Sequence, residues 1–407
     1  MDKKWVEATI EKLADWGKGK QGTSRLAFTE EDWQAKEYFV ALMKEAGMTV
    51  RTDCFGNIIG RIEGTDPSAP AVAAGSHLDT VPEGGKYDGI LGVVGALAAI
   101  KRITERGPVK HPLELIIFAA EESSRFGFAT MGSKVMAGTA GLTAWVKAKD
   151  QNGVSLSEAL TKQGFDLNNI KSAARQKSEL KSFIELHIEQ GPVLEAEELT
   201  IGIVEAIAAP TRMKITVDGM AAHSGATPMN QRRDALVSAA MIVLAVQEIA
   251  VEQSHHATVG TVGALKVHPG VMNVVPGQVE MWVDIRGINH DSIITAIQEV
   301  KDAISEIADE QRTPVSIEVL SSDKPVHMAE SVKSVIEAAC VKLDLTHRRM
   351  PSGAGHDAMN MTLLAPAGMI FIPCRGGVSH NPEEHAELAD IMAGIDVLTE
   401  TLYQQAK

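Results

Sequence analysis

Four apolar, strand-like runs, well separated along this chain, each end at or near a residue that can bind a metal. Residues 71–76 lead into His77-Leu78-Asp79, and residues 113–120 lead into Glu121-Glu122. Residues 182–186 lead into His187, and residues 368–374 come shortly before His380. Asp88 lies just past a glycine-containing turn at 81–87. Such nearly continuous apolar runs suit strands buried on both faces of a layered α/β sheet. Sheets of that kind gather their sites at the carboxyl ends of the strands, which gives these distant residues a physical reason to meet.

The composition leaves room for that fold. The chain has 407 residues, 44% hydrophobic and 23% charged, enough for a substantial core and two domains. A net charge of -14 gives no support to nucleic-acid or membrane binding. The uncharged run 89–100 is too short for a bilayer and is broken by glycine. The polar opening Met1-Asp2-Lys3-Lys4-Trp5 lacks the apolar core of a secretion signal. Cys54, Cys340 and Cys374 are an odd, scattered set without a CxxC pair, as in a reducing interior. A cytoplasmic enzyme is expected.

Along the chain, a first helix should run to about Trp16, and a second, capped by Thr29, to about Ala46, with Trp33, Phe39, Val40 and Met43 as its apolar stripe. Short strands follow at 48–53 and 57–62, and a crossover helix at 89–101. The middle reads differently. Alternation at 213–218 and 278–286, helical periodicity at 233–252 and 291–310, and extended segments at 258–267 and 315–320 give the order strand-helix-strand-strand-helix-strand. The expectation is an α/β catalytic domain with a central mixed sheet, formed by 1–210 and 325–407. Residues 211–324 should form an inserted two-layer α+β lid or dimerisation domain.

The ligand-type residues suggest hydrolysis at two metal ions. Residues i and i+2 of an extended chain point the same way, so Asp79 is expected to accept from His77 and orient its ring. The two oxygens of Asp88 can bridge a pair of cations. Adjacent carboxylates in a cleft repel unless a cation or a proton compensates, so Glu121 and Glu122 can divide the work between proton transfer and ligation. His187 and His380 are late ligands that folding could bring to this set. His111, His290, His347 and the pair His255-His256 show no comparable convergence. Rossmann redox chemistry and a GxSxG serine hydrolase are disfavoured by the absence of those motifs.

Taken together, GSHLDT at 75–80, YDGILG at 87–92, AEESSRF at 120–126, ELHIEQG at 185–191, AAHSGATPM at 221–229, NVVPG at 273–277, DIRG at 284–287, SGAGHDA at 352–358 and GVSHNP at 377–382 resemble one family across nearly the whole chain. It is the M20 superfamily of zinc peptidases, in its hydantoinase/carbamoylase branch of L-carbamoylases and allantoate or ureidoglycolate amidohydrolases. Ser123 departs from the glycine that often follows the Glu pair there. The resemblance implies His77, Asp88 and His187 around one divalent ion, and Asp88, Glu122 and His380 around the other. Zn2+ is favoured, with Mn2+, Co2+ and Ni2+ as alternatives. It also implies Glu121 as general base and His223 as oxyanion donor, reaching across the interface of a homodimer.

Substrate contacts implied in the same way are Gln190, His223, Asn273, Arg286 and Gly355, with Asn273 beside an Arg286 that clamps a carboxylate. Arg212 reads either as a contact for a polar substrate extension or as a hinge residue. The implied reaction cleaves the ureido C–N bond of N-carbamoyl-L-amino acids. Allantoate and ureidoglycolate are the alternative substrates, and dipeptides or N-acyl amino acids fit less well. A non-enzymatic metal-binding module would have no need of Glu121.

Overall fold

The computed structural model describes all 407 residues. Its strands are β1 Thr49–Thr52, β2 Ile58–Ile62, β3 Ala71–His77, β4 Leu113–Phe118, β5 Leu180–Ile188, β6 Ile201–Ile207, β7 Ala209–Asp218, β8 Ala222–His223, β9 Val259–His268, β10 Val274–Val275, β11 Gln278–Gly287, β12 Val315–Ser322, β13 Val326–His327, β14 His347–Ser352 and β15 Ala367–Ile372. The chain divides into two compact units, one of Met1–Glu205 with Met328–Lys407 and the other of Ala206–His327.

The first unit is built on a mixed sheet of order β1-β2-β4-β3-β5-β15-β6-β13, with β14 paired to β6. Its four central strands, β4, β3, β5 and β15, are mutually parallel, and their neighbours β2 and β6 run antiparallel to them. These are the four apolar runs of the sequence. Every residue of β3, β4 and β15 is buried, as both faces of a covered sheet require.

The crossover helix Ile90–Arg106 is buried along most of its length and packs with the C-terminal helix Leu388–Ala406. Gly92 lets the crossover helix lie close, since a Cβ there would stand 2.5 Å from the Leu186 carbonyl oxygen. The helix Glu30–Glu45 is capped by Thr29 as expected, but its inner face carries Asp32 and Lys36 beside Phe39 and Met43, while Trp33 and Val40 are only half-buried.

The second unit is a two-layer α+β insertion with an antiparallel sheet of order β12-β7-β11-β9. Alternation along β7 and β11 buries Met213, Ile215, Val217, Met281, Val283 and Ile285 on one face, in a core shared with the helices Ala235–Glu252 and His290–Gln311. The segment Ala235–His256 is long and apolar enough to cross a membrane by length and composition, and only a minority of it is buried. Its outward side carries Leu236, Val237, Leu244 and Val251, all exposed.

Candidate metal centre

Parallel pairing puts the carboxyl ends of β4, β3, β5 and β15 side by side, and each end delivers a candidate ligand. His77 is the last residue of β3, and His187 lies within β5, one residue before its end. Glu121 and Glu122 follow β4, after Ala120 turns the chain with a φ of 54°. His380, also left-handed at φ 54°, follows β15. Asp88 precedes the crossover helix at Gly89, whose φ is 72°; a Cβ there would meet the His77 ring at 2.4 Å, so only glycine fits.

Four side chains converge around the Asp88 carboxylate. Its Oδ1 lies 3.4 Å from His77 Nε2 and 3.2 Å from His187 Nε2. Its Oδ2 lies 3.4 Å from His380 Nε2, which stands 3.3 Å from Glu122 Oε1. Two trios, His77-Asp88-His187 and Asp88-Glu122-His380, therefore each bring ligand atoms within 4.8 Å of one another and share Asp88.

This arrangement fits divalent cations. His77 Nδ1 lies 2.9 Å from the Asp79 carbonyl oxygen and His187 Nδ1 lies 2.9 Å from that of Ile188. Each ring therefore donates from Nδ1 and, when neutral, turns an Nε2 lone pair toward a carboxylate oxygen. Two acceptors in that position repel unless a positive charge lies between them. Ligands about 2.0–2.1 Å from a tetrahedral ion stand roughly 3.3–3.4 Å apart, the separation found here.

The electrostatics carry the same signature. Burial works to lower the His77 pKa, but Asp88, Glu121 and Asp79 outweigh it and hold it well above the ordinary value. Asp88 and Glu122 push His380 up to about 10. Burial lifts Asp88, yet the three imidazoles overcome this and hold it well below the usual carboxylate range. Glu121, with Oε2 3.8 Å from His77 Nε2, goes the other way. Burial raises it well above the ordinary value, and Glu122 and Asp357 add to the effect.

Two expected contacts differ. The Asp79 carboxylate does not take the His77 proton: it lies 4.0 Å from Nδ1, and the Asp79 backbone carbonyl accepts instead. β3 ends at His77, so the alternation that would aim both side chains together stops one residue too soon. The carboxylate instead accepts from the backbone N–H of Glu121 at 3.3 Å and of Glu122 at 3.0 Å, and so holds the acidic pair in place. Nor does Asn273 lie beside Arg286 within one chain. Asn273 stands before the start of β11 and Arg286 near its far end, about 27 Å along the strand from Gln278.

Gln190, at φ 57°, donates from Nε2 to Asp88 Oδ2 at 2.6 Å, and its Oε1 is buried without a hydrogen-bond partner. Gly355 is exposed, and a Cβ there would meet only Met359 Sδ at 3.8 Å, so its backbone is approachable. In the inserted unit, His223 and Asn273 are brought together by the β8–β10 ladder, with the Asn273 carbonyl accepting from the Ser224 N–H. His223 is exposed, and its Nδ1 accepts from the N–H groups of Gly225 and Ala226, both at 3.1 Å. That leaves the proton on Nε2. Arg286 forms a two-pronged pair with Asp284 at 2.8 and 2.7 Å, and Arg212 binds the same carboxylate at 3.0 Å.

The pattern of the M20/M25/M40 peptidase family matches residues 73–404. The chain belongs to that family. It is 40% identical over 406 residues to an N-carbamoyl-L-amino acid amidohydrolase of Geobacillus stearothermophilus, covering 98% of each chain. It is also 40% identical over 386 residues to a ureidoglycolate hydrolase of Arabidopsis thaliana, covering 93% of this chain and 81% of that one. The crystal structure of an amidase of the hydantoinase/carbamoylase family from Burkholderia multivorans superimposes with a TM-score of 0.92 at 36% identity, covering 100% of this chain and 98% of that one. The chain is thus a metal-dependent M20 amidohydrolase of the hydantoinase/carbamoylase type, with carbamoylase, allantoate or ureidoglycolate amidohydrolase activity.

Around this M20 centre stand residues outside the ligand set. Glu384 is buried and accepts from the N–H groups of Tyr87 and Asp88 and from Ser379 Oγ, tying the Asp88 loop to the His380 loop. Ser379 also reaches Asp88 Oδ2 at 2.9 Å. Glu185 and His356 group with His187, but Glu185 already accepts from Ser76 Oγ and the Ala358 N–H, and His187 Nε2 faces Asp88. They brace the centre rather than form a third one. Glu185 did leave a signal, as the one charge in the apolar run 182–186, two residues from His187 and hence on its face.

Proposed function

We propose that the protein hydrolyses the ureido C–N bond of N-carbamoyl-L-amino acids, giving the amino acid, ammonia and carbon dioxide. The observation that carries this reading is the Asp88 carboxylate shared between two ligand trios, with the proton-accepting Glu121 beside it. Two divalent ions held by His77, Asp88 and His187 and by Asp88, Glu122 and His380 would supply Lewis acidity toward water and the ureido carbonyl. Zn2+ suits the mixed imidazole and carboxylate set, which Mn2+, Co2+ or Ni2+ can also occupy.

Glu121 takes the proton of the attacking water and returns it to the leaving nitrogen. Burial raises its pKa, which favours its holding that proton between the two steps. Gln190 Oε1, an acceptor without a partner, receives a ureido N–H. His223 donates from Nε2 to the oxygen that becomes negative as the carbonyl is attacked, a contribution worth roughly 3–4 kcal/mol for one such donor. Arg286 and Asn273 hold the substrate carboxylate.

A second copy completes the site by bringing His223 to it, as the resemblance to the family implies; within one chain Asn273 stands at the opposite end of β11 from Arg286. The exposed apolar side of the helix Ala235–Glu252 and the sheet edge β9, with Val259 and Leu265 exposed, form the face where that copy docks. Allantoate and ureidoglycolate are the second reading, supported by the equal identity to the Arabidopsis ureidoglycolate hydrolase.

The deciding experiment measures ammonia release from metal-reconstituted protein with N-carbamoyl-L-methionine, allantoate and ureidoglycolate, and primary-amine release from N-acetyl-L-methionine. Preferred turnover of the carbamoyl amino acid is expected. Preference for allantoate or ureidoglycolate would move the assignment to the second reading, and cleavage of the acetyl compound alone would refute both.

A further inference from the structure

The two ligand trios are not held equally firmly. His77 and His187 belong to the ends of β3 and β5, their rings are buried, and a backbone carbonyl fixes each Nδ1. His380 stands instead on the loop between β15 and the C-terminal helix. Its side chain is 51% exposed, and only its Nε2 is engaged. The sheet therefore places the first two imidazoles, whereas the third goes wherever its loop backbone goes.

One buried carboxylate fixes that backbone. Glu384 Oε1 accepts from the N–H groups of Tyr87 at 2.9 Å and Asp88 at 3.1 Å, and its Oε2 accepts from Ser379 Oγ at 2.8 Å. It thus grips Asp88 on one loop and the neighbour of His380 on the other. Its own backbone closes the second loop, the Glu384 N–H donating to the Asn381 carbonyl at 3.0 Å. Gly85 lies flat against the carboxylate, since a Cβ there would stand 2.1 Å from Oε1. Asp88 has further supports: Gln190 Nε2 donates to its Oδ2 at 2.6 Å, and the crossover helix begins two residues on.

We propose that Glu384 is a positioning residue for the second ion. By clamping the His380 loop to the Asp88 loop it closes the Asp88-Glu122-His380 trio, while the sheet closes the His77-Asp88-His187 trio without it. The inference rests on the two-ion reading and gives the two sites different supports. Groups that orient metal ligands typically contribute about 10–100-fold in metal affinity, and here that contribution falls on one ion only.

The test is zinc per chain, read by elemental analysis after dialysis of the reconstituted protein against a series of buffered free Zn2+ concentrations. The parent should fill in two steps, and His380→Ala identifies the second-ion step by abolishing it. Glu384→Ala should move that step to free Zn2+ about tenfold higher or more and leave the other within about threefold, so that the retained ion reports an intact fold. Glu384→Gln keeps an oxygen for the two backbone N–H groups and an N–H for Ser379 Oγ, and should restore the step to within about threefold of the parent. Ser379→Ala cuts one arm of the clamp and leaves the other. It should shift the same step in the same direction, and it decides the matter if Glu384→Ala does not fold. Equal shifts of both steps, no shift of either, or a Gln variant as weak as the Ala variant would overturn the clamp and leave the two-ion reading standing. A parent that takes up only one ion would overturn the clamp together with the reading beneath it.

Discussion

Asp79 shows how a single residue can serve the centre without touching a ligand side chain. Its two oxygens take the N–H groups of Glu121 and Glu122, so it fixes where β4 releases the acidic pair. Asp79→Asn would turn an amide N–H toward one of those donors and leave a buried group unsatisfied, a cost of about 1–3 kcal/mol. The expected outcome is a lower thermal midpoint and a fall in kcat of tenfold or more, with both metal ions retained. A variant with parental kcat would show that the Glu pair is held by other means. The identity of Asp79 as a supporting residue was legible in the HLD triplet; its partner was not, because that depends on where β3 stops. Glu384 was harder to see, since its role rests on a loop-to-loop contact spanning nearly three hundred residues.

At the scale of elements, regular structure was legible wherever the hydrophobic period was clean. The alternation of β7 and β11 and the apolar runs of β3, β4 and β15 appear at nearly the expected positions. β14, whose sequence is His-Arg-Arg-Met-Pro-Ser, carries no such period, and its pairing with β6 is imposed by the sheet. The helix Glu30–Glu45 misleads in another way. Beside the expected apolar stripe its inner face carries Asp32 and Lys36, four residues apart, as a fully buried ion pair at 2.8 Å. Asp32 also accepts the Phe28 N–H, so the pair fixes the start of the helix from inside. Asp32→Ala would leave Lys36 charged and alone in the core, a loss of about 3–5 kcal/mol. Urea unfolding checks this. The double replacement Asp32→Leu with Lys36→Met should recover much of the loss, and equal destabilisation by both would contradict the account.

At the scale of the whole molecule, the insertion exposes more apolar surface than its own core needs. Leu236, Leu244 and Val251 fall at helical spacing on the outward side of the helix Ala235–Glu252, next to the unpaired edge β9. With the proposed second copy docked on this face, sedimentation velocity should find the parent dimeric and Leu244→Glu monomeric. If the second copy supplies His223, turnover should fall at least a hundredfold while metal content stays the same. A monomer with parental activity would separate assembly from catalysis.

The central claim is that four parallel strand ends build one two-ion centre around Asp88. Metal stoichiometry after reconstitution and dialysis, read by elemental analysis on the parent, Asp88→Ala, His187→Ala and His380→Ala, tests it most directly. The account predicts two ions per chain in the parent, one in each histidine variant and none in Asp88→Ala. One ion in the parent, or two retained by Asp88→Ala, would contradict it.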